Sequence, residues 1–186
     1  MALDKDELRK LQWSIMEHVS ACSILPLMRI GDELNLFFHL AENGPCSSNA
    51  FAQIAGVDER YAREWLYAMC AANYCCHDEE FQNFHLSEAQ KMVFAYEDSP
   101  SLMIGAYDIL AGNVHGIDKV RDAFQTGKGV DYGNFHPCVF QGTARFFKPS
   151  YKSNLIQKWM PKIPEAEQLL QQGGKLCDVG CGKGLS

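Results

Sequence analysis

The sequence predicts a mainly α-helical chain that closes on the beginning of an α/β domain. Through most of its length, apolar residues recur every three or four positions, which is the pattern of amphipathic helices. Runs with strand character are short and lie within residues 74–86 and at Lys175–Val179. The second run leads into three glycines at alternate positions, Gly180, Gly182 and Gly184. These features indicate helices first and a strand with a glycine turn last.

The composition is that of a soluble globular protein. Hydrophobic residues make up 47% of the 186 residues, charged residues make up 22%, and the formal net charge is −6. Because no basic block stands out, we expect no nucleic-acid partner. No apolar run reaches the roughly 18 residues that span a bilayer, and the charged N-terminus does not resemble a signal peptide. We therefore expect a cytoplasmic protein with no membrane partner, whose eight cysteines are reduced.

Three cysteines and two histidines lie near one another in the sequence, so zinc is an alternative to weigh: Cys70, Cys75, Cys76, His77 and His85. No C-x-x-C pair occurs among them, and their spacing matches no common zinc module. Thiols that pack as small hydrophobic groups are the simpler interpretation. We predict no metal site.

The N-terminal region predicts three helices. Asp4 is the expected N-cap of the first, which runs from Lys5 to about Val19 with one apolar stripe. Trp13 lies off that stripe, so this helix is expected to have a second neighbour, and one candidate is another subunit. The next two helices are predicted at Ala21–Ile30, before Gly31, and at Asp32–Glu42.

The following segment has the order helix, turn, helix and hairpin. Ser47 or Ser48 caps a short helix, and Gly56 suits its left-handed C-terminal position. Asp58 caps the next helix, which runs to about Asn73. Two strands are predicted at Tyr74–His77 and Phe81–Leu86, and Ser87 and Gln90 form a capping box for a further helix. This order predicts a winged helix.

A winged helix often binds DNA, so a transcriptional regulator is the main alternative function. Here the second helix exposes acids beside its arginines, and the wing turn carries Asp78, Glu79 and Glu80. Phosphates repel such a surface, whereas phosphate neutralisation normally supplies much of the affinity for DNA. We therefore expect a scaffold for dimerisation and substrate capping, with a non-enzymatic dimerisation module as a further alternative.

The second half of the chain predicts helices interrupted by a glycine-rich loop. The loop, residues 126–137, carries Tyr132 and Phe135, which are candidates to line a pocket, although simple linkage is an equally good interpretation. His115 and His136 lie nearest to the segments expected to face a substrate. Nothing in the sequence pairs either with a carboxylate, so we assign no catalytic residue. The helices are predicted at residues 101–113, 117–125, 140–147, 151–160 and 165–172.

The last ten residues, CDVGCGKGLS, narrow the kind of ligand. A dinucleotide site has the pattern G-x-G-x-x-G, whereas Leu185 occupies the sixth position here, which disfavours a dinucleotide-binding oxidoreductase. A P-loop needs Ser or Thr after its lysine, and Lys183 is followed by Gly184. Cys181 as a nucleophile is disfavoured because no base is evident beside it. Glycines suit this turn because they adopt positive φ and let a ligand approach the backbone.

The motif D-V-G-C-G-x-G at Asp178–Gly184 resembles the first cofactor-binding motif of the class I S-adenosylmethionine-dependent methyltransferases. Other segments resemble the small-molecule members of that family that have an N-terminal winged-helix domain: residues 58–66, 84–87, 97–100 and 159–161. The resemblance extends over essentially the whole chain. It implies a winged-helix dimerisation domain at 1–98, a helical linker and substrate-capping region at 99–172, and the start of a Rossmann-like domain at 173–186.

The resemblance also implies a cofactor, partners and site residues. S-adenosylmethionine would be bound by Asp178, Gly180, Cys181, Gly182 and Gly184, and the acceptor would be a small molecule. The protein would be a homodimer through its N-terminal helices. Family members continue with the rest of the sheet, so we expect this sequence to be truncated and the fragment itself to be inactive, because one strand cannot make a sheet.

Overall fold

The computed structural model describes residues 3–80 and 82–185. The chain divides into two units, Met1–Leu86 and Ser87–Ser186. The mainly α prediction is confirmed, and the predicted division into three domains stays a prediction. The first unit contains α1 (Lys5–Glu33), α2 (Leu36–Asn43), α3 (Ser48–Ala55), α4 (Glu59–Ala71), β1 (Cys76–Asp78) and β2 (Asn83–His85).

Helix α1 is longer than the sequence predicts. Its start is as expected, because the Asp4 carboxylate accepts hydrogen bonds from the backbone N–H groups of Asp6 and Glu7, at 2.9 and 3.2 Å. The predicted ends at Val19 and Gly31 are wrong, since the helix continues through both. Gly31 lies inside the helix, where its lack of a side chain makes room for the Trp65 ring. A Cβ at Gly31 would lie 2.6 Å from that ring.

The core of the first unit is built around Trp65. Its indole N–H donates a 2.9 Å hydrogen bond to the Leu27 carbonyl, which joins α4 to α1. The Phe37 ring meets Trp65 edge-on at 4.9 Å between centroids, and the Phe51 ring is stacked at 6.1 Å. This arrangement buries large apolar side chains from four helices. Among the fully buried ones are Met28, Phe37, Leu40, Phe51, Leu66 and Met69.

The predicted helix-turn-helix and hairpin are confirmed. Ser47 and Asp58 accept capping hydrogen bonds at the starts of α3 and α4, and Gly56 has φ +67° at the end of α3. Strands β1 and β2 pair antiparallel with Cys76 opposite His85. Phe81, which was predicted to begin the second strand, lies outside the described residues.

The second unit is helical throughout its regular part. The separate helices predicted at 140–147 and 151–160 are wrong, because one helix, α8, continues past Pro149 to Asn154. The capping box of Ser87 and Gln90 is present as predicted. The elements are α5 (Glu88–Phe94), α6 (Gly105–His115), α7 (Ile117–Thr126), a 3-10 turn (Tyr132–Asn134), α8 (Pro137–Asn154), a π-helical turn (Leu155–Trp159), a second 3-10 turn (Met160–Lys162) and α9 (Pro164–Gln171).

Helices α6 and α8 cross at very short range. A Cβ on Gly142 would lie 2.5 Å from the Asp108 Cβ and 2.7 Å from the Gly105 carbonyl oxygen. Arg145 pairs with Asp108 at 3.6 Å and also with Glu97, which precedes α6. Glycine thus brings the backbones together, and the nearly buried carboxylate of Asp108 pairs with the partly exposed Arg145 beside the crossing.

The predicted strand Lys175–Val179 is not formed. Residues 174–178 have no regular structure and 179–180 lie in a turn, with Leu176 65% and Val179 92% exposed. An extended segment becomes a strand only when a neighbour accepts and donates its backbone hydrogen bonds. In residues 3–80 and 82–185 the hairpin of β1 and β2 is the only sheet, so this segment has no partner there.

Candidate functional site

The candidate site is a cavity in the second unit, with one face of α8 as its main wall. Phe140, Thr143, Ala144, Phe147 and Tyr151 line it. These positions are three, four, seven and eleven residues from the first, which places them on one face of a helix. The Phe147 and Tyr151 rings are stacked with centroids 6.2 Å apart. The sequence therefore folds an aromatic wall on α8.

The start of α8 is fixed by His136. Its Nδ1 accepts a 3.3 Å hydrogen bond from the backbone N–H of Cys138, and Pro137 occupies the first helical turn. The His136 ring stacks on His115, with centroids 4.3 Å apart. The side chain of His136 therefore serves as the N-cap of α8. That neither histidine has a catalytic role stays a prediction.

Tyr132 adds the loop's contribution to the cavity. It lies on the 3-10 turn, and its ring meets Phe140 edge-on at 4.9 Å between centroids. Phe135 does not line this cavity and instead borders a second, apolar one with residues of α7, such as Val120 and Phe124. The two aromatic residues of the loop thus border different cavities, and their role in lining a substrate pocket stays a prediction.

The glycine turn contributes a further part of the lining. Gly180, Gly182 and Gly184 have φ of +83°, +57° and +67°, the left-handed region in which glycine is favoured. The Gly184 N–H donates a 2.9 Å hydrogen bond to the Cys181 carbonyl, which closes the turn. A Cβ on any of the three glycines would meet nothing within 4 Å, so the space beside the turn is open.

The cavity has a volume of about 330 Å³ and brings part of the predicted site together. Gly180, Cys181 and Gly182 line it, along with Lys183 and Leu185, whereas Asp178 and Gly184 lie outside the lining. The role of all five predicted residues in cofactor binding stays a prediction.

Sequence reasoning missed Phe140, Thr143, Phe147 and Tyr151 as site residues. The signal was present in their spacing. Dividing α8 between residues 147 and 151 split the stripe, so its aromatic residues were not recognised as one surface. The helical period carried through Pro149 is the pattern that finds them.

The cysteine and histidine group lies at the base of the wing. His77 and His85 point to opposite faces of the hairpin, since His77 pairs with Phe84 and successive residues alternate. Burial raises the pKa of the Cys75 thiol well above its ordinary value, and also raises the pKa of Cys70. Within residues 3–80 and 82–185, no group of three or more His, Cys, Asp or Glu side chains is placed to hold a metal ion.

Residues 21–95 match the family model of the Rv2258c-like winged HTH domain. The matched residues span α2, α3, α4, β1 and β2 completely, together with part of α1 and the capped helix α5. The winged-helix prediction is thereby confirmed independently of the coordinates.

The fold is also shared with solved methyltransferase structures. One is a protein from Nostoc punctiforme PCC 73102 assigned as an O-methyltransferase, with a TM-score of 0.56 and 18% identity over 80% of this chain and 43% of that one. Human N-acetylserotonin methyltransferase, in complex with SAM, has a TM-score of 0.58 and 13% identity over 83% and 48%. CalO1, a methyltransferase of calicheamicin biosynthesis in its SAH-bound form, has a TM-score of 0.54 and 18% identity over 98% and 54%.

The chain spans about half the length of these structures. At such identities the likeness establishes the fold, and at that level it confirms the resemblance predicted from the sequence. No curated protein sequence matches the chain significantly. Among the described residues, no helix combines the length and the apolar character that crossing a membrane requires.

Proposed function

We propose that this chain is the N-terminal portion of an S-adenosylmethionine-dependent methyltransferase that acts on a small molecule. The winged-helix unit is the scaffold, and the glycine turn is part of the cofactor site. The observation that carries the proposal is the glycine turn itself. Three glycines with positive φ follow Asp178, and the space beside them is open. Solved methyltransferases with bound SAM or SAH share the fold, which supports the choice of cofactor.

Five residues are proposed to hold the cofactor. Gly180, Gly182 and Gly184 let the backbone approach it closely because they have no Cβ. Cys181 offers a backbone contact rather than its thiol, and Asp178 accepts hydrogen bonds from the methionine portion. When bound, S-adenosylmethionine supplies an electrophilic methyl group.

The chain's own contribution to the reaction is alignment and exclusion of water. The aromatic wall of α8 offers an apolar surface against which an acceptor is oriented, and orientation lowers the entropic part of the barrier. Thr143 supplies a hydroxyl within that wall. No general base is proposed for this reaction.

Homodimerisation through α1 is part of the proposal. The first half of α1 exposes large apolar side chains, and Trp13 is 71% exposed. Exposed apolar surface of this extent marks an interaction site in soluble proteins. The others in this stretch are Leu11, Ile15, Met16 and Val19.

A role in DNA binding is not proposed. On α4, Arg63 pairs with Glu59 at 3.4 Å, so its charge is partly neutralised within the helix. Strand β1 ends at Asp78, which with Glu79 and Glu80 makes the wing turn acidic. Such a surface gains little from releasing counterions from phosphates.

Calorimetric titration of the purified full-length protein with S-adenosylhomocysteine tests the proposed function. We expect saturable binding, and we expect Gly182→Val to weaken it by tenfold or more, because a β-branched residue at φ +57° costs roughly 1–3 kcal/mol and fills the approach to the backbone. Gly129→Val is the matched control, since Gly129 has open space, no positive φ and no place in the cavity. Absence of binding, or equal loss in both variants, contradicts the proposal.

A further inference from the structure

The cavity between α8 and the glycine turn has a lining that defines a ligand class, and we infer that it binds a planar aromatic molecule carrying a carboxylate. This inference rests on the proposed function in one respect, because it takes this ligand to be the methyl acceptor. The binding itself is argued from the lining alone.

Size is the first argument. The cavity volume of about 330 Å³ lies at the lower end of the roughly 300–1,000 Å³ range of small-molecule sites. It therefore suits a molecule of one or two rings rather than a long chain or a large polycycle.

Aromatic side chains are the second argument. Four of them line the cavity: Tyr132, Phe140, Phe147 and Tyr151. Tyr132 and Phe140 present an edge and a face at 80°, while Phe147 and Tyr151 are nearly parallel at 27°. Aromatic rings prefer edge-to-face or offset-stacked partners, so both pairs extend naturally to a third, flat ring. An aliphatic ligand gains burial from this wall but not these ring contacts.

Charge is the third argument. Lys183 is the only charged side chain among the described residues that line the cavity. No ion pair joins it to an acid within residues 3–80 and 82–185. A lysine in the lining of a cavity whose other side chains are uncharged favours an anion and disfavours a cation, and a carboxylate matches it in charge and hydrogen bonding. The aromatic wall taken alone would also suit a cation, and Lys183 decides against that ligand.

The test uses three probes of similar size with the purified full-length protein: 4-hydroxybenzoate, its uncharged analogue 4-hydroxybenzamide, and cyclohexanecarboxylate, which is anionic but not aromatic. We expect calorimetry to show 4-hydroxybenzoate binding about tenfold more tightly than either of the others, since each lacks one recognised feature. Equal affinity of all three probes, or binding of none, overturns the inference.

Two pairs of variants locate the site. Lys183→Gln is expected to weaken 4-hydroxybenzoate binding about tenfold and to leave 4-hydroxybenzamide unchanged, whereas Lys175→Gln, in the same segment but outside the cavity, changes neither. Phe147→Leu is expected to weaken both aromatic probes, with the exposed Phe124→Leu as its control. All four positions are at least partly exposed, and thermal melts verify folding. Loss of the difference between Lys183→Gln and Lys175→Gln overturns the inference.

The same titrations separate this inference from the proposed function. S-adenosylhomocysteine binding without 4-hydroxybenzoate binding contradicts the inference alone, and the reverse contradicts the proposed function alone. Gly180, Cys181 and Gly182 line this cavity and are also proposed to hold the cofactor, so the aromatic ligand is placed against α8 and the cofactor against the glycine backbone. A saturating amount of S-adenosylhomocysteine is then expected to leave 4-hydroxybenzoate binding intact. Mutually exclusive binding would assign the cavity to the cofactor and overturn its assignment to an acceptor.

Discussion

The two units of the chain bury different kinds of residue. In the first unit the buried positions are large and apolar, centred on Trp65, Phe37 and Phe51. The second unit also buries Leu102 and Ile104, but the buried residues of its two crossing helices are small or charged: Gly105, Asp108 and Gly112 on α6, and Gly142 with Pro149 on α8. The first unit therefore depends mainly on the volume of its side chains. The second depends on how closely two helix backbones approach and on a charge buried beside them.

Because of this difference, the two units are expected to tolerate different substitutions. A hydrophobic core loses stability in proportion to the volume removed, while substitutions that keep volume cost little. A close helix crossing is sensitive to volume added, because the backbones have no room to give. A buried ion pair is sensitive to the loss of one member, because the remaining charge stays desolvated. Removing volume, removing charge and adding volume each test one side of the comparison.

Phe51→Ala is expected to have the largest effect. Phe51 is fully buried against Trp65, and deleting a buried phenylalanine side chain costs about 4 kcal/mol of unfolding free energy. Urea unfolding followed by circular dichroism measures the change. Tyr61→Ala, at an exposed position on α4, is the control and is expected to cost far less. A Phe51 variant as stable as the control would mean that the first unit does not depend on its core volume.

Arg145→Met is expected to rank second, at about 3 kcal/mol. The substitution keeps an apolar stem but removes the guanidinium group that lies 3.6 Å from the nearly buried Asp108 carboxylate. Arg121→Met removes an exposed pair, with Asp118 at 2.8 Å, and such pairs contribute about 0–1 kcal/mol. The same urea titration measures both. Equal losses in the two variants would show that burial does not strengthen the dependence on Arg145.

Gly142→Ala tests the close crossing and is expected to cost about 2 kcal/mol, the typical penalty of overpacking. The added methyl would lie 2.5 Å from the Asp108 Cβ and 2.7 Å from the Gly105 carbonyl, and the backbone cannot move aside as a side chain does. Gly129→Ala adds the same methyl where nothing lies within 4 Å. Its unfolding free energy should stay level or rise slightly. A neutral Gly142→Ala would indicate that α6 and α8 separate easily.

The sequence predicts local features of the fold better than contacts between distant residues. Local signals were read correctly: the caps Asp4, Ser47 and Asp58 start their helices, and Gly56 ends α3. Breaks placed at Gly31 and after Phe147 were wrong, because distant contacts such as that of Gly31 with Trp65 override a glycine's local preference. The pairing of Arg145 with Asp108 joins residues far apart in the chain, and no local pattern reports it.

The candidate site also combines features that the sequence predicts with features that it does not. The sequence predicts that Gly180, Gly182 and Gly184 adopt positive φ, and they do, because this conformation is a local property that glycine favours. The strand predicted at Lys175–Val179 is not formed, since pairing depends on a neighbouring strand and not on the segment's own sequence. The wall of α8 was missed because its helix was divided. Periodicity identifies such a face only when the helix bounds are right.

The smallest expected effect is a pH dependence of the unfolding free energy that comes from the Cys75 thiol. It is absent at neutral pH and appears only at alkaline pH. Burial raises the pKa of the Cys75 thiol above its ordinary value of 9.0, so the unfolded chain releases this proton at a lower pH than the folded one. The folded state then binds more protons above about pH 9, and stability contributed by the buried thiol is lost as the pH rises. Below that pH both states hold the proton, and the thiol adds no pH dependence.

Comparing the native protein with Cys75→Ala isolates this thiol from the tyrosines and lysines that titrate in the same range. The difference in unfolding free energy between the two proteins is expected to be constant from pH 6 to 8 and to shrink from about pH 9 upward.

Thiol labelling of the native protein compares the two units directly. Exposed Cys177 and Cys181 are expected to react at once, while buried Cys46 and Cys75 are expected to react only on unfolding. If Cys75 reacts as fast as Cys181, the first unit is not closed around it, and the contrast between a sealed core and an open glycine turn does not hold.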